Sequence, residues 1–224
     1  VNALAMDAST SIVSCSLSWE GGWSQSSSRS AVGHAERLMP MIDALLSGAG
    51  VAPSSLGLVV CASGPGSFTG LRIALSTAKG ICAATGAALV LVPTLDYLAS
   101  GHPSRSAVMP VIDGKKGRIY AALYRAGVMD GPVLDLPAQE IASRLPAEEE
   151  ISFTGPDADL MADFAAERPA WSIDPWHSRP RPEALLALGV ARYRSGETAG
   201  PGEGPFYVRN DEEDIGITFP GRKK

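Results

Sequence analysis

Apolar and polar residues alternate with a change of period along the chain, and the changes mark out elements. Ala3-Leu4-Ala5-Met6-Asp7 is a short apolar run closed by a carboxylate and followed by Ala8-Ser9-Thr10-Ser11, so it reads as a strand and a hydroxyl-bearing turn. Ile12 to Trp19 resumes with Val13, Cys15, Leu17 and Trp19 on one face, Glu20-Gly21-Gly22 supplies a hairpin turn, and residues 23–28 return as a more exposed third strand. From His34 the period becomes helical: Leu38, Met41 with Ile42, and Leu45 with Leu46 form a stripe that Gly48 and Gly50 end, with Pro40 inside it. Leu56 to Ala62 is a nearly continuous apolar strand of the kind covered on both faces. A glycine loop and a helix over residues 71–84 follow, then a strand over 87–92 and a turn at Pro93-Thr94.

After a connector at Gly101-His102-Pro103-Ser104, the opening pattern returns. Val108-Met109-Pro110-Val111-Ile112-Asp113 is again an apolar run ending in aspartate; with Asp113 laid on Asp7, a strand over 119–124 falls on the second strand and Gly127 falls on Gly21. The chain then predicts a short helix over 137–145, a strand over 151–154, a helix over 157–167 and a last helix over 183–194. The expected fold is α/β with two related lobes, residues 1–103 and 104–195, followed by a C-terminal segment and mobile tail over 196–224.

Composition narrows the chemistry. Hydrophobic residues are 45% and charged residues 19% of 224, which suits a folded globular chain and excludes disorder as the main state. Nineteen Lys and Arg against 24 Asp and Glu give a net charge of −5, so any polyanion must be held by a local patch or by a partner. Cys15, Cys61 and Cys82 are widely spaced in apolar or small-residue surroundings, which offers neither a disulfide framework nor a zinc site and suits a reducing cytoplasm. No stretch approaches the ~18 apolar residues a membrane span needs, so the expectation is a chain neither secreted nor embedded.

Ser63-Gly64-Pro65-Gly66-Ser67-Phe68-Thr69-Gly70 joins a strand to a helix, where free N–H groups can face an anion. Its GxGxxxG spacing matches neither the dinucleotide fingerprint nor the phosphate loop, and a tight turn that brings helix close to strand explains it equally well. Asp7 and Asp113 could face each other across a cleft, with Ser9, Thr10, Gly64, Gly66, Ser67 and Gly70 supplying phosphate contacts; alternatively each aspartate caps its own turn, with Lys115, Lys116 and Arg118 neutralising Asp113. His34, His102 and His177 stand far apart without HExxH or His-x-x-x-His spacing, and Ser67 is not in a nucleophile elbow, so neither metal nor nucleophilic catalysis finds its parts.

Asp7-Ala8-Ser9-Thr10, His34 opening a Leu-x-Pro-x-Ile helix, Gly64-Pro65-Gly66-Ser67-Phe68-Thr69-Gly70-Leu71-Arg72-Ile73 and Pro93-Thr94-Leu95 together resemble the TsaB (YeaZ) family, the bacterial partner of the TsaD family. The likeness is strong over the first lobe and thin afterwards, where Asp113, Tyr120 and Pro205-Phe206-Tyr207-Val208-Arg209 carry it; Gly114, Lys115 and Arg118 stand where members often have Asp-Ala-Arg and a later Glu. The resemblance implies an ASKHA (actin/hexokinase/Hsp70-like, ribonuclease H-like) duplicated fold. It also implies a non-catalytic partner of TsaD in placing a threonylcarbamoyl group on the adenosine beside the tRNA anticodon, with TsaE resetting the complex. Thr94-Leu95-Asp96-Tyr97-Leu98-Ala99 stands where TsaD bears its His-x-x-x-His metal pair, so no metal site is expected here and the glycoprotease label of the superfamily loses its basis. The resemblance further implies that TsaD, or a second copy when the chain is alone, docks on the first lobe's helices. There Leu38, Met41, Ile42 and Leu45 would form the apolar centre, beside His34, Arg72, Ile73, Ala74, Thr77, Ala78 and Ile81. No cofactor is required on this reading, ATP or ADP with magnesium would bind only weakly, and tRNA is met through the complex. The competing reading is a stand-alone nucleotide-binding ATPase or phosphotransferase of the same fold; a third is a metallopeptidase.

Overall fold

A computed structural model describes residues 1–29, 34–100, 107–200 and 202–209, with the side chains of 34 and 35 excluded. The 101–104 connector with His102, the boundary at 103, the His34 side chain and the charge runs over 211–224 therefore lie outside the described residues.

The first lobe contains β1 (Asn2–Asp7), β2 (Ile12–Trp19), β3 (Gly22–Arg29), α1 (His34–Ala49), β4 (Leu56–Ala62), α2 (Phe68–Thr85), β5 (Ala88–Val92) and α3 (Thr94–Ala99). The second contains β6 (Ala107–Asp113), β7 (Ile119–Ala121), β8 (Tyr124–Arg125), β9 (Val128–Met129), β10 (Leu134–Leu136), α4 (Ala138–Arg144), β11 (Ile151–Thr154), α5 (Ala162–Ala166), β12 (Trp171–Ile173) and α6 (Pro182–Arg194). The sheets have matching orders, β3-β2-β1-β4-β5 and β10-β7-β6-β11-β12. In both, the central strand pairs antiparallel with the strand that follows it in the chain and parallel with its neighbour on the other side. The duplicated plan read from the two aspartate-ended runs is thus present in hydrogen bonds.

Alternation along the central strands explains the layering. Leu4, Met6, Val59 and Cys61 point into a core with Leu38, Ile42 and Ala74 under α1 and α2. Ala3, Ala5, Leu58 and Val60 point the other way, into a core shared with Leu185 of α6, Leu95 of α3, and Val108 and Ile112 of the second sheet. That sheet's far face, Met109, Val111 and Phe153, packs with Ile141 of α4. The molecule is therefore a stack of helices, sheet, helices, sheet, helices. Although α6 follows the second sheet in the chain, it packs across β1, β2, β4 and β5 of the first. Ser16 Oγ donates to the Pro182 carbonyl (2.8 Å), and Arg192 donates to the Leu91 carbonyl (3.1 Å) and to Asp96 (2.8 Å).

Two local expectations are corrected, and one strand has no counterpart in the sequence reading. The strand predicted over 119–124 breaks after Ala121, and Tyr124 starts a short hairpin whose turn residues Ala126 and Gly127 both have positive φ, 50° and 78°. The helix predicted over 157–167 is a 3-10 turn, Ala158–Met161, followed by α5. The edge strand Trp171–Ile173 gave too short an alternation to be read. Among the described residues no helix is long and apolar enough to cross a membrane.

Candidate functional site

Asp7 ends β1, and its carboxylate turns inward. Oδ1 accepts the Ser9 N–H (2.7 Å), Oδ2 accepts the Tyr97 hydroxyl (2.5 Å), and the residue is 2% exposed. Burial, then the neighbouring Asp7 charge, raises the Tyr97 pKa well above its ordinary value, so the hydroxyl stays protonated and remains a donor. Thr94 completes the knot: its N–H donates to the Gly64 carbonyl (2.7 Å), and its hydroxyl donates to Ser9 Oγ (3.3 Å) while accepting the Gly64 N–H (3.2 Å). Asp7 and Gly64 are thus fastenings between β1, β4 and α3, and neither lines the cleft expected between Asp7 and Asp113. Replacing Tyr97 by phenylalanine strips a buried carboxylate of a donor; thermal or denaturant unfolding should show a loss of about 1–3 kcal/mol.

A cleft of 430 Å³ does open between the lobes, and Ser9, Thr10, Gly66, Ser67 and Asp113 all line it. Asp113 stands with Lys115, Lys116 and Asp157 on the second-lobe wall, opposite Ser9, Thr10, Gly66 and Ser67. Asp113 accepts the backbone N–H (2.8 Å) and the Nζ (2.6 Å) of Lys115 and donates its own N–H to Asp157 Oδ2 (2.9 Å). Burial pushes its pKa up, but the Lys115 contacts outweigh that and hold it below the usual carboxylate range. Asp157 moves the opposite way, raised first by burial and further by the Asp113 charge. Lys115 and Lys116 both sit in the left-handed region, φ 61° and 54°, a costly backbone for side-chain-bearing residues. Of the three cations expected to neutralise Asp113, Arg118 does not: it pairs with Asp135 on β10 (3.0 Å).

The glycine loop is built for close approach. Ser67 caps α2 by accepting the Gly70 N–H on its hydroxyl (3.3 Å) and donates its own N–H to the Ser9 carbonyl (2.6 Å). A Cβ at Gly66 would collide with the Ser9 carbonyl oxygen, and one at Gly70 with that of Ala8. The loop thus presses the start of α2 onto the β1–β2 turn, which is the packing explanation of its spacing.

The C-terminal segment was missed as a structural part, although its Pro205–Arg209 motif was legible. The Phe206 N–H donates to the Ser63 carbonyl (2.7 Å) at the end of β4. The Tyr207 ring lies 5.2 Å from that of Phe68, and its hydroxyl accepts from Arg72 (3.1 Å). Arg209 grips Asp135 with two hydrogen bonds (2.5 and 2.6 Å). The segment therefore straps the first lobe to the second. Lys79, the other cation of α2, donates to the Glu203 carbonyl on the same strap (2.7 Å).

The docking residues need a larger correction. Leu38, Ile42, Leu45, Ala74 and Ala78 are each no more than 7% exposed and belong to the core under the sheet, so they cannot supply the centre of a contact with another chain. The surface that α1 and α2 leave outward holds Met39, at 49% exposure, with half-buried Met41, Ile73, Thr77 and Ile81. The cysteines behave as small hydrophobes: burial pushes Cys15 up to about 12 and raises Cys61 and Cys82 as well.

The family described as "TsaD: tRNA N6-adenosine threonylcarbamoyltransferase" matches residues 28–190. The "tRNA threonylcarbamoyladenosine biosynthesis protein TsaB" of Bacillus subtilis is 29% identical over 166 residues, 70% of this chain and 72% of the relative. The protein of the same name from Escherichia coli is 29% identical over 188 residues, covering 80% and 81%. Among solved structures, YeaZ from Pseudomonas aeruginosa superposes with a TM-score of 0.78 at 28% identity, covering 92% of this chain and 99% of that one.

Proposed function

We propose, from the premise that the chain belongs to the TsaD family of tRNA N6-adenosine threonylcarbamoyltransferases, that it is the member that holds the transferase in shape rather than the transferase itself. Its likeness to TsaB and YeaZ proteins over most of both chains makes it a TsaB-type member with an ASKHA-type fold, acting in tRNA threonylcarbamoyladenosine biosynthesis.

One observation carries the non-catalytic part. The segment at the place of the TsaD metal pair is α3, and its side chains are all engaged in the fold. Thr94, Leu95, Tyr97, Leu98 and Ala99 are buried. Asp96 accepts the Tyr124 hydroxyl (2.7 Å) and pairs with Arg192 (2.8 Å). Nothing on α3 is left to hold a reacting atom. The cleft supports the same reading: its cations and hydroxyls suit a phosphate, but the carboxylate that a magnesium-bound water would need from β1 is turned away and tied to Tyr97. A nucleotide there is therefore bound weakly and is not consumed by this chain, which disfavours the ATPase reading. In the cell the chain pairs with TsaD through the outer face of α1 and α2, forms a homodimer through that face when alone, works with TsaE in the cytoplasm, and meets tRNA only within the complex.

The test separates the outer face from the core. Ile73→Glu and Thr77→Arg, at half-buried positions, should leave the melting temperature within a few degrees yet weaken co-purification with TsaD at least about tenfold, since an unpaired charge at a contact is costly. Mass analysis of bulk tRNA nucleosides should then show the threonylcarbamoyl modification falling in parallel. If both variants still bring down TsaD and sustain the modification, the face is wrong; if the wild-type chain alone hydrolyses ATP steadily, the non-catalytic reading fails.

A further inference from the structure

Among the described residues, most arginines have a carboxylate or aromatic partner within the chain. Arg118, Arg125, Arg144, Arg168, Arg192 and Arg209 each face a carboxylate within 4.0 Å, and Arg72 is held by Tyr207 and the Phe68 ring. Among the described residues, Arg29, Arg37, Arg179 and Arg181 form no such ion pair and gather in one place, while Arg194 stands apart from them at the end of α6. Arg37 on α1 donates to Ser28 Oγ at the end of β3 (2.6 Å), beside Arg29. Arg29 donates to the Ser178 carbonyl (3.1 Å), in the loop that carries Arg179 and Arg181. Those two line a small gap next to Thr10, which also borders the interlobe cleft.

The nearby acids are held by other partners: Asp7, which lines the same gap as Arg179 and Arg181, by Ser9 and Tyr97, and Asp157, close enough to feel the Arg29 charge, by the Asp113 N–H. Asp159 pairs with His177 (3.1 Å), and Asp174 accepts the Trp176 N–H (2.9 Å) and the Thr154 hydroxyl (3.0 Å). On the same loop Trp176 is 71% exposed, its indole open to solvent among the described residues. Guanidinium groups without an ion pair repel one another, and Asp7 and Asp157, the two carboxylates that share that gap or feel that charge, are fewer than the four cations, so the arrangement suits an outside polyanion. Guanidinium forks fit phosphate oxygens better than point charges do, and an exposed indole beside them offers a face on which a base can stack.

Resting on the tRNA-modification reading above, we infer that Arg29, Arg37, Arg179 and Arg181, with Trp176, form an RNA-backbone contact surface that extends the tRNA grip of the TsaD complex. The surface lies on the β3 end of the first sheet, at Arg37 near the start of α1 and on the 174–181 loop, and has no member on α2.

The probe is an unmodified tRNA transcript, and the sample is the full chain co-purified with TsaD. Arg179→Glu with Arg181→Glu should weaken tRNA binding about tenfold or more near 0.1 M salt. The slope of log affinity against log salt should fall by about 0.9 for each phosphate no longer neutralised, with TsaD association unchanged. Arg144→Glu, at a carboxylate-paired site on α4, should change neither. If the double variant proves unstable, Arg29→Glu with Arg179→Glu, both at exposed positions off the docking helices, gives the same measurement. Unchanged affinity and slope overturn the surface while leaving the functional reading standing. Loss of TsaD association at unchanged RNA affinity also overturns it, by making the patch a protein contact. Failure of the wild-type chain to associate with TsaD overturns the functional reading instead, and the salt slope of the chain alone at low salt then decides the arginines.

Discussion

Gly70→Ala is expected to cost about 3 kcal/mol or more, which for a chain of this size is a fall of roughly 6–12 °C in melting temperature. The added methyl would land on the Ala8 carbonyl oxygen, a backbone atom in the turn that Asp7 and Ser9 lock by hydrogen bonds. Neither partner can yield alone. Moving Ala8 breaks the Asp7–Ser9 turn, and moving α2 lifts Leu71 and Ala74 off the sheet. Gly80, in the same helix but facing open space, is the control: alanine there should be neutral or stabilise by up to about 1 kcal/mol through helix propensity. Paired thermal melts of the two variants check the argument, and similar midpoints would mean that α2 does not approach the β1–β2 turn as closely as described. The same clash explains why the loop's spacing matches no phosphate-binding fingerprint. Gly70 is a glycine for packing, and Gly66 is a glycine for packing that also lines the cleft.

What was legible in the sequence was what local periodicity writes down. The strand–aspartate–turn pattern at Asp7 and Asp113 revealed the duplication, and the unbroken apolar run in β4 announced a strand covered on both faces, because those signals need no knowledge of distant neighbours. Long-range pairing was invisible. Nothing in the sequence ties Tyr97 to Asp7, 90 positions earlier, or Arg209 to Asp135, 74 positions earlier, so from sequence alone Asp7 is a candidate cleft carboxylate and the strap is part of a C-terminal segment and tail. The docking helices failed for a different reason. An apolar stripe on α1 and small residues on α2 fit both a core and a contact with another chain, and the strongest stripe, Leu38, Ile42 and Leu45, is the one the fold takes for itself. Candidates for docking had to come from the weaker outer set. The arginine cluster leaves no local signal, because its members lie on β3, α1 and the loop before α6, and hydrogen bonds through Ser28 and Ser178 bring them together.

Asp135→Ala should cost about 1–3 kcal/mol at neutral pH, because it removes the carboxylate that both Arg118 and Arg209 face and leaves two guanidinium groups opposed in a partly shielded site. Desolvation raises the Asp135 pKa, but the hydrogen bonds from Arg209 and then Arg118 outweigh it and hold the group below its ordinary value of 3.8. A depressed folded value means that this stabilisation is complete above 3.8 and is lost as the pH falls through the lower folded value. The gap in melting temperature between wild type and variant should therefore be wide at pH 7 and close progressively below about pH 4. The structural consequence is local before it is global. With Arg209 released, the strap loses its hold on the second lobe, and the Phe206 N–H that bonds the Ser63 carbonyl should exchange with solvent faster than in the wild type. Equal melting temperatures at pH 7, or equal exchange at Phe206, would mean that the two lobes are joined by the shared core under α6 alone and that the C-terminal segment merely lies across them.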